Sequence, residues 1–64
     1  MEGAEEIRPL LVTAEDAARL LGVGRTTLYA IVKNGELTPV HIHRCVRFST
    51  HELEEYVERL RRAA

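Results

Sequence analysis

The 64-residue sequence predicts a mainly α domain with one small β-hairpin. Three observations lead there. Residues 13–22 and 24–35 are short amphipathic stretches, and each ends on a glycine that can stop a helix. Between residues 38 and 49 the apolar period drops to two, as a pair of short strands requires. From residue 49 a Ser-x-x-Glu start leads back into helical spacing. The predicted order is helix, turn, helix, hairpin, helix.

A chain this short forms one domain that buries only about 60% of its unfolded surface, which leaves no room for a catalytic cleft. The lone Cys45 excludes an internal disulfide framework and agrees with a reducing cytoplasm. "MEGAEEIRP" has neither a basic start nor an apolar run, so a signal peptide is not expected, and no stretch suits a membrane helix. Residues 1–9 read as a flexible acidic tail, with the ordered domain spanning residues 10–64. Net charge is −1, but it is unevenly spread. Residues 1–24 are net −3 and residues 52–64 net −1, whereas residues 25–51 are net +3 and hold all three histidines. A local basic block attracts a polyanion whatever the overall balance.

Each element has its own local logic. In the first helix, Thr13 can cap with Asp16 three positions on, Val12 can staple onto Ala17, and Ala17, Leu20 and Leu21 make an apolar stripe before Gly22. The second helix starts after Gly24 and closes at Asn34-Gly35, with Leu28, Ile31 and Val32 on its buried face. Arg25, Tyr29 and Lys33 follow one another at four-residue steps on another face, with Thr26 and Ala30 beside them. In the hairpin, setting residue 42 against 46 and 40 against 48 gathers Val40, Ile42, Val46 and Phe48 on one side. His41 and Arg47 then oppose each other on the outer side, and His43, Arg44 and Cys45 form the tip. The last helix opens on a Ser49–Glu52 capping box and is expected to bury Leu53, Tyr56, Val57 and Leu60. Its glutamates precede its arginines, as the helix dipole favours.

"Gly-Val-Gly" between the first two helices makes them cross steeply, with Ala18 small at the crossing and Val23 plugging it. With the hairpin and closing helix this is the order of a winged helix-turn-helix. The second helix then presents Arg25, Thr26, Tyr29 and Lys33 outward, side chains suited to base edges and phosphates. Considered singly, these side chains would also suit an ordinary solvated surface.

From about Leu11 to Val57 the chain resembles the excisionase-type, MerR-like DNA-binding family of small bacterial and phage proteins. The resemblance rests on "AARLLGV", "TLYAIVKNGEL" and the V-x-I…V-x-F hairpin. It implies a winged helix-turn-helix that docks its second helix in the major groove and lays its wing along backbone or minor groove. Carried over by position, Arg25, Thr26, Tyr29 and Lys33 are helix contacts, and Arg44 and Arg47 are wing contacts. The chain departs from the family pattern at Gly24, where Ser is common, at Ala30, often basic, and at His43, usually glycine at the wing turn. A non-glycine residue at that turn carries a conformational cost.

"HIHRCVRF", residues 41–48, also raises a metal reading through His41, His43 and Cys45, with His51 as a fourth ligand. A straight strand through residue 45 would push Arg44 into the core, so a wing is the better reading and no metal or other cofactor is expected. His41 and His43 remain candidate phosphate contacts on that wing. The resulting expectation is a cytoplasmic, nucleoid-associated, non-enzymatic protein that binds double-stranded DNA selectively. As an excisionase it would load cooperatively through self-association, bend attachment-site DNA and assist a separate integrase. Neither a membrane nor a small-molecule effector enters this reading. A small MerR-like transcription regulator, a protein-interaction adaptor and a metal-binding module are the alternatives.

Overall fold

The computed structural model describes residues 8–63. Its elements are β1 (Leu11–Val12), α1 (Ala14–Leu21), α2 (Arg25–Lys33), β2 (Val40–Ile42), β3 (Cys45–Ser49) and α3 (Thr50–Ala63). Three helices and a small antiparallel sheet make a winged helix-turn-helix. Most of the predicted acidic tail, residues 1–7, lies outside the described residues.

Both helix-turn-helix elements are stopped by the same device. At the end of α1, Gly22 takes φ 74°, its N–H donates to the Arg19 carbonyl, and the Val23 N–H donates to that of Ala18. At the end of α2, Gly35 takes φ 81°, its N–H donates to the Val32 carbonyl, and the Glu36 N–H donates to that of Ile31. Each pair satisfies carbonyls that a helix end would otherwise strand. Thr13 caps α1 by accepting from the Asp16 N–H at 3.1 Å, as its sequence position predicts.

One core joins all the layers: Ala17 and Ala18 of α1, Leu28 and Ile31 of α2, Leu37, Phe48 of β3, and Leu53 and Tyr56 of α3. Val12, Ala14, Leu21, Val23 and Val32 pack around it. Leu20, expected in the stripe of α1, is exposed. The buried positions there step from Ala14 through Ala17 and Ala18 to Leu21, and Leu20 lies about 100° off that line. Val57 and Leu60, expected in the core, are also largely exposed. With 14 residues α3 is about 21 Å long, against about 12 Å for the 8 residues of α1, so its last turns run past their support.

The sheet departs from the sequence expectation in two ways. It has three strands in the order β1-β3-β2, because Leu11 and Val12 pair with Ser49 and Phe48. The wing register is also shifted by one: Val40 faces Arg47, His41 faces Val46, and Ile42 faces Cys45. The tip is therefore the two residues His43 and Arg44 rather than three, with His43 at φ 54°. Because side chains alternate along a strand, that single step moves Val40 and Ile42 to the opposite side from Val46 and Phe48.

Candidate nucleic-acid interface

α2 contains no acidic residue. Arg25, Tyr29 and Lys33 form one exposed stripe spanning about 12 Å, with exposed Thr26 and Ala30 alongside. Leu28 and Ile31 anchor the opposite side in the core. Tyr29 is 45% exposed, which leaves much of its ring open to a ligand. Gly24 caps α2 without a side-chain hydrogen bond, leaving the first N–H groups open beside Arg25.

The cations differ in what holds them. Arg19 pairs with Glu15 and Asp16 at 3.6 and 3.7 Å, and Arg61 with Glu58 at 3.3 Å. Arg25, Lys33 and Arg44 form no ion pair among the described residues, and Arg47 donates only to the Val46 carbonyl at 2.9 Å. A phosphate can approach these four without breaking a carboxylate contact.

On the wing, His41, His43 and Arg44 are exposed and Arg47 is half-buried. The structure does not place His41 opposite Arg47, as the sequence reading expected. His41 shares a side with Val46, and Arg47 shares the other with Val40, Ile42 and Cys45. Ile42, at 46% exposure, thus becomes an outward apolar residue that alternation alone had assigned to the core. The same register separates His41 from Cys45, and no three His, Cys, Asp or Glu side chains among the described residues converge as a metal site would require.

Residues 11–61 match the helix-turn-helix domain family. This chain is a member of that family. Over 51 residues, 80% of its length, this helix-turn-helix domain is 43% identical to a protein of Saccharopolyspora erythraea named "Probable excisionase". The chain spans about half (52%) of that relative's length. No solved structure matches. No helix among the described residues is long and apolar enough to cross a membrane.

A set of α3 side chains makes contacts in this helix-turn-helix domain that the sequence reading did not assign to them. Glu52, Tyr56 and Arg59 follow at helical spacing and meet the loop that joins α2 to the wing. Glu52 was expected to complete a capping box. Ser49 does cap, accepting from the Glu52 N–H at 3.1 Å, but the Glu52 carboxylate instead accepts from the Thr38 N–H at 3.3 Å. The 52-56-59 spacing was the signal available in the sequence. A depression between α1 and α3 is floored by Val12, Leu21, Leu53 and Val57 and includes no residue of α2 or the wing.

Proposed function

We propose that this chain is a sequence-selective DNA-binding protein of the excisionase type. In this reading α2 enters the major groove with Arg25, Thr26, Tyr29 and Lys33. The wing lies along the backbone or minor groove with His41, His43, Arg44 and Arg47. The observation that carries it is charge availability: Arg25, Lys33, Arg44 and Arg47 lack carboxylate partners, while Arg19 and Arg61 are paired. The named relative supports the narrower, excisionase part. Such a protein shapes DNA and cuts nothing. Copies load cooperatively, bend an attachment site and help a separate recombinase assemble, without an effector, in the cytoplasm of a bacterial host.

Titration against attachment-site, promoter and random duplexes over a range of salt tests this. Four phosphate neutralisers should give log K against log[salt] a slope of about −3 to −4 per monomer. A slope near zero would overturn the DNA reading in favour of a protein-interaction adaptor. Preference for promoter over attachment-site DNA would overturn the excisionase part and leave a transcription regulator.

A further inference from the structure

The segment from Glu36 to Thr38 carries the chain out of α2 and towards the wing, and it is held at three successive residues. The Arg59 guanidinium donates to the Glu36 carbonyl at 3.1 Å. Leu37 is only 2% exposed, sunk into the core. The Thr38 N–H donates to the Glu52 carboxylate at 3.3 Å. Between these two clamps stands Tyr56, with the Glu36 carboxylate close enough to act on its hydroxyl and Arg59 5.8 Å from the centre of its ring.

Leu37 alone explains why the segment packs. It does not explain why the polar groups on either side are gripped from one helix. Positions 52, 56 and 59 stand above one another on α3, whose own start continues directly from β3. The same helix is thus joined through the chain to one strand of the wing and through side chains to the end of the reading helix. No other side-chain hydrogen bond between described residues reaches residues 34–39.

We infer that Glu52 and Arg59, with Tyr56 between them, are positioning residues that fix the angle between the reading helix and the wing, so that both meet DNA at once. They touch no DNA in this arrangement. Arg59 spends its charge on a carbonyl and an aromatic ring, which separates it from the unpaired cations of α2 and the wing tip. This inference rests on the DNA-binding reading given above. What it adds is that specificity depends on side chains remote from DNA.

A double-mutant cycle on attachment-site DNA tests it, with Lys33→Ala reporting the helix and Arg44→Ala the wing. In the Glu52→Ala/Arg59→Ala background, affinity should fall roughly five- to tenfold, about the net effect of one ordinary hydrogen bond. There Arg44→Ala should cost little more, while Lys33→Ala keeps its full effect. Glu52→Gln and Arg59→Lys, which retain an acceptor and a donor, should restore the coupling. Without DNA, backbone NMR relaxation should show greater motion of the wing relative to α2. Arg59 is exposed, so Arg59→Ala alone provides a folded variant if the pair melts. An undiminished Arg44→Ala effect in a folded clamp variant would overturn the inference, as would unchanged wing motion. Loss of binding by the unaltered protein would instead overturn the DNA reading itself.

Discussion

Arg25 and Lys33 stand two turns apart on the same stripe of α2, yet they should answer differently to removal. Arg25 is in the first turn, where a reading helix meets base edges, and its fork can grip guanine. Arg25→Ala should cost about 1–3 kcal/mol on a cognate site and much less on random DNA. Lys33, in the last turn, should lose similar affinity on both when changed to Ala. Parallel titrations check this; equal losses for Arg25→Ala would make it a phosphate contact. His43 offers a separate test. It is the one non-glycine residue with positive φ among the described residues. His43→Gly relieves the left-handed backbone but loosens the unfolded chain. The net gain should be about 0.5–1 kcal/mol in a urea titration, and a loss would show that the His43 side chain compensates for its backbone.

At the scale of elements, the helices were legible because their signals are local. Thr13, Gly22, Asn34-Gly35 and Ser49 act within four residues of themselves, and so does the spacing of Arg25, Tyr29 and Lys33. The wing register was not legible. Phe48 fixes the side β3 turns to the core, but a two- or three-residue tip then decides where Val40 and Ile42 fall. The two tips differ by little more than the cost of one strained residue. β1 was missed because two residues show no period. Leu37 was missed because it sits between an Asn-Gly stop and Pro39, where sequence reads as loop. Leu37→Ala should nevertheless destabilise the fold by about 2–5 kcal/mol in denaturant unfolding. The α3 clamp has a pH signature of its own. Burial, and then the nearby Glu36 carboxylate, push the Tyr56 hydroxyl above its ordinary 10.0. The folded state therefore holds the phenolic proton more tightly than the unfolded state. That stabilisation is complete below pH 10.0 and declines as pH rises through the folded value. Tyr56→Phe should flatten the alkaline decline in urea midpoints, and an unchanged decline would assign it to another group.

For the whole molecule, size governs behaviour on DNA. With a Cα radius of gyration of 13.0 Å, it offers one reading helix and one small wing. That is at or below the roughly 600–1,000 Å² a single module buries. On the proposed excisionase reading, useful affinity comes from neighbours on the same duplex, by contact or through a shared bend. The expected outcome is a monomer in solution that loads cooperatively on closely spaced sites and bends them, with the wing tip of one copy meeting an acidic helical face of the next. Arg44→Glu should impair both binding and loading. Ultracentrifugation without DNA and footprinting on one-site and two-site probes check this. A stable free dimer, or equal affinity per site on both probes, would point to an ordinary dimeric repressor. At this same scale β1 does its work through its main chain. Its two residues pair with β3, while the Thr50 N–H and hydroxyl grip the Leu10 and Pro9 carbonyls just before it. Without this strand the wing would be a bare two-stranded ribbon, which is marginal in water. A main-chain brace reads shape and hardly reads side chains, so positions 10 and 11 are free to drift in evolution, while proline at 12 would remove the N–H that faces Phe48. The strand that steadies the wing thus asks little of its own side chains.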